Sequence, residues 1–451
     1  MFDYVILKYM FSQLSNEGEA EAATSKTPKQ RLTPQAGSLL SVLLRFRVFQ
    51  ALRYREYLLI WYGLIFSSLG HWMDEVTRGW LMYELTHSAV QLGLVRGIQA
   101  IPILFLSPVA GSAADRYSRK MQMVVAQVVE CLVFAVTAVL IFTGWIRPWH
   151  VYVTAFVMAT VQTFQQPARA AMISDAVPLN SLTNAIGLNA MVFNVARSIG
   201  PALAGMLIAI VGTGGAYIVQ AFFYFLATWW TLKLSSEQCP WAGSDTHAVE
   251  RESFGRSIIE GWKFSWRNEA VRTGLVTVML VSLFIVPFTT LLPVFAKDIL
   301  GVGAAGQGLL FTAMGIGALC SAALIAFAGD KLPRGMLMLG SVTIYGFFVI
   351  IFAASPWFKL SLFVMLIAGL CHVHSNALVQ TVIQSYSPAE FRGRTMALFN
   401  ISRVVVMAGS MVVGVLSSLL GARWAVASMA ALGALTMISI YLAMPRARLI
   451  R

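Results

Sequence analysis

The sequence predicts an all-α polytopic membrane protein of twelve transmembrane helices in two pseudo-twofold-related six-helix halves, on three observations. Hydrophobic residues make up 58% of the 451-residue chain and charged residues only 12%, with a mean hydropathy of +0.71. A soluble domain has about a quarter of its residues charged, so this chain has to bury its apolar surface in lipid. The apolar runs are long, and at roughly 20 residues per ~30 Å hydrocarbon crossing there is room for about twelve. The polar breaks also repeat. Asp330-Lys331-x-x-Arg334 reproduces Asp115-Arg116-x-x-Arg119 at an offset of 215, while Gly200 and Gly205 recur as Gly409 and Gly414 at an offset of 209. Pro178 and Pro388 open the two glycine-bearing segments, a register that parallel duplication of a six-helix unit would produce.

Residues 1–55 read as a cytoplasmic N-terminal tail. The polar tract up to Ser38 carries too little apolar surface to fold, and Asp3 stands where a signal peptide would carry cations. From residue 39 to 55, leucines and aromatics mix with Arg45, Arg47, Arg53 and Arg55, which suits a helix lying on an anionic membrane surface. The first half, 56–234, holds spans near 58–81, 92–114, 121–145, 150–174, 182–211 and 215–234. A cytoplasmic linker, 235–270, follows, in which Phe254, Ile258, Ile259 and Trp262 recur at helical spacing beside Arg256, Lys263 and Arg267, as in an interfacial helix. The second half, 271–445, holds spans near 271–295, 307–328, 335–353, 360–383, 395–420 and 424–444, before a cytoplasmic C-terminus, 446–451.

The net charge of +13 sits in the breaks between spans, which assigns it to anionic headgroups rather than to nucleic acid. Clusters such as Arg116/Arg119/Lys120, Lys331/Arg334 and Arg392/Arg394 occupy alternate breaks, and the opposite breaks carry single cations such as Arg147 and Lys359. Both termini are therefore expected on the cytoplasmic side of the cell (plasma) membrane. Cys131, Cys320 and Cys371 lie in apolar runs and Cys239 in a polar loop, with no pairing or metal spacing. Neither a metal nor a cofactor is expected.

Gly111-Ser-Ala-Ala-Asp115-Arg116-Tyr-Ser-Arg119-Lys120 is too charged for a bilayer interior and has to be a loop at a membrane face. It resembles the loop between helices 2 and 3 of the major facilitator superfamily, Gly-x-x-x-Asp-Arg-x-x-Arg-Lys/Arg. Gly70-x-Trp72, Trp80-Leu81-x-Tyr83-Glu84-Leu85-Thr86-x-Ser88, Gly93, Pro102 and Pro108 look like the first two helices of the branch containing enterobactin exporters and macrolide efflux pumps. Gly200-Pro201-Ala202-Leu203-Ala204-Gly205 resembles the helix 5 motif of drug/proton antiporters, with Ala204 in place of its first late glycine. The resemblance implies a monomeric transporter whose two halves rock about a central small-molecule site. It also implies a gate in which Asp115 meets the start of helix 11, around Phe391-Arg392-Gly393-Arg394, with Gly111, Arg116, Arg119 and Lys120 and the repeat Asp330, Lys331 and Arg334 forming the gating loops. The same charges would equally serve as topology markers.

Ionisable residues within apolar spans are costly, at least ~2.5 kcal/mol each, and are seldom kept without a partner or a task. They are Asp74, Glu75 and Arg78 in helix 1, Arg96, Glu130, Arg169, Arg197 and Arg403. Asp74 and Arg78, four apart, share a helix face and can pair. Asp74, Glu75 or Glu130 could carry a coupling proton, although His71 stands where relatives often have aspartate. His372 and His374 are two apart and point about 200° around a helix, which excludes joint chelation. Gln162, Gln165, Gln166, Asn376 and Gln380 suit a polar cavity lining or interhelical hydrogen bonds. The leading expectation is proton-coupled export of an amphipathic small molecule, siderophore or drug-like. An importer or lysophospholipid flippase of the same fold is the alternative, and a non-transporting sensor or enzyme is remote, because no catalytic motif or nucleotide loop is present.

Overall fold

The computed structural model describes residues 47–235, 254–328 and 334–443, and these are overwhelmingly helical. In chain order the helices are α1 (Arg55–Thr86), α2 (Ala89–Arg116), α3 (Arg119–Phe142), α4 (Pro148–Ala176) and α5 (Leu179–Leu232). They continue as α6 (Phe254–Arg267), α7 (Glu269–Ile299), α8 (Gly303–Ala328), α9 (Arg334–Ala354), α10 (Phe358–Tyr386), α11 (Ala389–Leu420) and α12 (Ala422–Ala443). Nine helices among the described residues are long and apolar enough to cross a membrane. α1 and α4 are not among them, because charged and amide side chains interrupt their apolar runs.

α5 has 54 residues, which at 1.5 Å rise is about 80 Å, far more than one crossing needs. Gly212 divides it, with φ 74° and ψ 173°, a conformation open to glycine and strained for other residues. The two arms, 179–211 and 213–232, coincide with two separate expected spans. α7 departs from the plain span expected over 271–295. Its α-helical start, Glu269–Leu280, gives way to a π turn (Val281–Ile285), a 3-10 turn (Val286–Leu291) and a second π turn (Phe295–Ile299). Pro287 and Pro293 remove backbone donors inside this stretch, so regular i→i−4 bonding cannot run through it.

The repeated glycines mark helix crossings. A Cβ on Gly205 of α5 would stand 2.5 Å from Ala304 O of α8, and one on Gly414 of α11 would stand 2.8 Å from Ala89 O of α2. Gly200 lies against Trp72 of α1, and Gly409 against Leu283 and Pro287 of α7. The contacts correspond in order along the chain: Gly200 and Gly205 meet α1 and α8, and Gly409 and Gly414 meet α7 and α2. Pro178 and Pro388 cap α5 and α11 with nearly equal ψ, 156° and 154°.

Two peripheral segments dock on protein. Residues Arg47–Arg53 form a 3-10 turn with Ala51 and Leu52 fully buried, and the Ala51 N–H donates to Asn184 Oδ1 at 2.9 Å. This segment differs from the expected membrane-surface helix because its apolar residues find α5. α6 lies where an interfacial helix was expected, yet it also holds the start of α11: Phe264 stacks on Phe391 at 4.6 Å between centroids, and Arg394 Nη1 donates to Glu260 Oε2 at 2.7 Å. Its other face keeps Trp262 and Trp266 exposed.

Candidate functional site

A cavity of about 420 Å³ lies midway along the bundle, within the size range of sites for drug-sized ligands. Helical stripes line it. Ser67, Ser68, His71, Trp72 and Glu75 come from α1, Gln162, Gln165, Gln166 and Arg169 from α4, and Arg403, Val406, Met407 and Ser410 from α11. These spacings of three and four put each set on one helix face. Arg96 of α2, Arg197 of α5 and His372 of α10 complete the polar wall, while Phe193, Phe311 and Met314 supply an apolar one.

Four candidate arginines therefore meet in one place. Arg96 pairs with Glu75 across the α1–α2 contact. Arg169 Nη2 donates to Gln165 Oε1 at 2.7 Å, and Gln165 Nε2 donates to Glu130 Oε2 at 3.1 Å. Glu130 itself is fully buried behind the cavity wall, and its Oε1 has no hydrogen-bond partner among the described residues. Arg197 lies over the Trp72 ring at 5.4 Å and donates to His372 Nδ1 at 3.4 Å. Gln162 Nε2 sits 3.1 Å from His71 Nδ1. Asp74 and Arg78 pair as their spacing predicts, but 5% exposed each and off the cavity. His374, Asn376 and Gln380 do not line the cavity.

The two ends of the bundle differ. At one, Tyr83 Oη donates to Asp298 Oδ2, joining α1 to α7, and Lys297 lies over the Trp80 and Tyr83 rings. The glycine crossings α5–α8 and α2–α11 lie toward this same end. At the Asp115 end, a Cβ on Gly111 or Gly393 would meet nothing within 4 Å. Asp115 is exposed there and has no hydrogen-bond or ion-pair partner among the described residues, so the contact with the start of α11 is not made in this conformation. Arg116 is exposed, Arg119 pairs with Asp175 at the end of α4, and Lys120 Nζ donates to Leu234 O at 2.6 Å. Arg334 begins α9, whereas Asp330 and Lys331 lie outside the described residues, as do Cys239 and the tail before residue 47.

Asp175, Glu260 and Asp298 escaped the sequence reading. Asp175 and Asp298 stand near the ends of spans and Glu260 in the linker helix α6, where a lone acid looks like ordinary surface polarity, and only their distant partners give them a role. The cavity stripes of α1, α4 and α11 did carry a signal, since their polar residues recur at helical spacing inside apolar runs.

A polytopic helical bundle around a polar, solute-sized central cavity is the architecture of a membrane transport protein. The chain belongs to the major facilitator family described as transmembrane secretion effectors, whose model matches residues 47–449. It is similar to the staphyloferrin A transporter of Staphylococcus aureus, with 26% identity over 61% of this chain and 66% of that protein, just under two thirds of its length. Similarity to the multidrug efflux pump Tap of Mycobacterium bovis is 25%, over 75% of this chain and 81% of the pump. These relatives are membrane transporters and not enzymes. Among solved structures, the nucleoside transporter NupG superposes with a TM-score of 0.69 at 13% identity, covering 85% of this chain and 99% of that one. A bacterial homologue of the human lysosomal transporter Spinster, in an inward-facing, unoccupied conformation, gives 0.66 at 16% identity, covering 88% and 98%. At such identities these two likenesses establish the fold alone.

Proposed function

We propose that this chain is a secondary active exporter that carries an amphipathic small molecule across the plasma membrane by alternating access, driven by inward proton flow. In this reading residues 56–234 and 271–445 form two six-helix halves, a monomer suffices, both termini are cytoplasmic, and the Asp115 end faces the cytoplasm. The observation that carries the reading is a central cavity between two unlike ends: Tyr83 is bonded to Asp298 at one, and Asp115 has no hydrogen-bond or ion-pair partner among the described residues at the other. The staphyloferrin A transporter and the multidrug efflux pump Tap support a small-molecule cargo, and the pump supports the outward direction.

Both closures are weak enough to be broken in every cycle. A hydrogen bond to a charged group contributes about 1.5–3 kcal/mol, which bounds the Tyr83–Asp298 tie. A carboxylate at a helix N-terminus contributes up to ~2 kcal/mol, which is what Asp115 would gain at the head of α11. Rocking exchanges one contact for the other.

Of the three candidate proton carriers, Glu130 fits best. Protonating Glu75 or Asp74 would leave Arg96 or Arg78 without its carboxylate, an imbalance that costs about 3–5 kcal/mol at buried sites. Glu130 reaches Arg169 only through Gln165, so it can take a proton without stranding a guanidinium. Transport in everted vesicles tests the reading. ATP-independent, uncoupler-sensitive accumulation of a siderophore, macrolide or dye supports export; accumulation only in right-side-out vesicles supports an importer and overturns it.

A further inference from the structure

We infer that the cargo is an organic anion bearing two or more acidic groups on an apolar frame, held by Arg169, Arg197 and Arg403. This deepens the proposed function and rests on the central cavity being the transport site.

The charges facing the cavity do not balance. Four arginines line it, Arg96, Arg169, Arg197 and Arg403, against one carboxylate, Glu75, which leaves an excess of three positive charges. Counting Glu130, behind the wall, still leaves two. Asp74 and Arg78 cancel each other off the cavity, and His71 and His372 add no negative charge. Among the described residues, only Arg96 of the four has a carboxylate within ion-pair distance. Arg197 is held by a ring face and an imidazole, and Arg403 has no hydrogen-bond or ion-pair partner among the described residues. Guanidiniums inside a membrane protein are expensive, and they persist where a partner offsets their desolvation. Here that partner arrives with the cargo.

The rest of the wall narrows the chemistry. Trp72, Phe193, Phe311 and Met314 offer apolar and aromatic surface, and Gln162 and Gln166 offer further donors. Planar guanidiniums suit carboxylates or other oxyanions bidentately. Arg403 comes from α11 and Arg169 and Arg197 from α4 and α5, so a ligand with two acidic groups can bridge both sets of helices. It would then screen the mutual repulsion that their approach during closure entails. A monocation would be repelled from the same wall.

The test uses two planar aromatic dyes of opposite charge, 5-carboxyfluorescein and ethidium, with citrate as competitor. Binding is read by fluorescence anisotropy on the full chain in nanodiscs, and transport in everted vesicles. The expected result is carboxyfluorescein binding at least tenfold tighter than ethidium, displaced by citrate and weakened by raising NaCl from about 0.05 to 0.5 M while ethidium is not. Arg403→Gln should weaken carboxyfluorescein about tenfold, or about 1.4 kcal/mol, Arg403→Glu should weaken it further, and the exposed Lys359→Gln should leave it unchanged. Because the salt comparison uses the unmutated chain, it holds even if an arginine variant fails to fold. Tighter binding of ethidium, binding of neither carboxyfluorescein nor citrate, or indifference to both salt and Arg403→Gln overturns the inference. Outward transport of ethidium alone overturns it while leaving the export reading intact. Arginine-dependent binding of carboxyfluorescein with its uptake only in right-side-out vesicles leaves the inference standing and removes the export reading.

Discussion

Adding one methyl group at Gly205 should wedge α5 away from α8 and shift the protein toward a state open at the Tyr83–Asp298 end. The Cβ of Gly205→Ala would lie 2.5 Å from Ala304 O, 3.2 Å from Ala305 Cα and 3.1 Å from Gly308 Cα, all backbone atoms without a side chain to swing aside. An ordinary C···O contact is about 3.3 Å, so the helices must part locally by about 0.8 Å. Overpacking of this kind costs about 1–3 kcal/mol, a shift of about 5–150-fold in the equilibrium between closed and open forms. Spin labels at Met206 and Leu309, both exposed beside the crossing, read it as a longer distance or a second, longer population. Gly340→Ala is the control, because its Cβ meets nothing within 4 Å. An unchanged Met206–Leu309 distance with unchanged transport would show that this crossing does not hold the closed end shut.

Asp115→Asn should leave expression and insertion normal but lower transport, since only the charge that would meet the α11 N-terminus is lost; normal turnover at normal expression would remove Asp115 from the gate. Asp298→Asn should weaken the tie to Tyr83 and raise labelling of a cysteine placed at Trp80 by a membrane-impermeant maleimide, by about tenfold for each ~1.4 kcal/mol lost. Glu130→Gln should keep cargo binding while making transport insensitive to a proton gradient, and a preserved gradient response would transfer the coupling role elsewhere. Asp74→Ala should lower thermal stability by about 3–5 kcal/mol because it leaves Arg78 buried and unpaired, and a melting curve of the purified protein should show partial recovery in Asp74→Leu/Arg78→Met.

The order of helices was legible in the sequence because apolar runs and charged breaks are local. The glycine repeat was legible too, Gly200 and Gly205 in one segment and Gly409 and Gly414 in the other, but the helices these residues cross came only with the structure, because a close backbone approach marks one partner's position and not the other's. The Asp74–Arg78 pair followed from helical spacing. The cavity's composition did not follow, because Arg96, Arg169, Arg197 and Arg403 sit on four helices and nothing local says that they share a wall. Partnerships across long separations were equally hidden: Arg119 with Asp175, Arg394 with Glu260 and Tyr83 with Asp298. The irregular winding of α7 had a visible cause in Pro287 and Pro293, but two prolines do not dictate which turns become π and which 3-10.

Alternating access is the claim on which the rest depends, and paired distances at the two ends address it most directly. Spin labels at Tyr117 and Glu390 report the Asp115 end, and labels at His87 and Leu419 report the opposite end, all at exposed positions. On adding cargo and lowering the pH on the Tyr83–Asp298 side of reconstituted membranes, the account predicts that the first distance shortens while the second lengthens. Movement of both ends in the same direction, or of neither while transport proceeds, would contradict it.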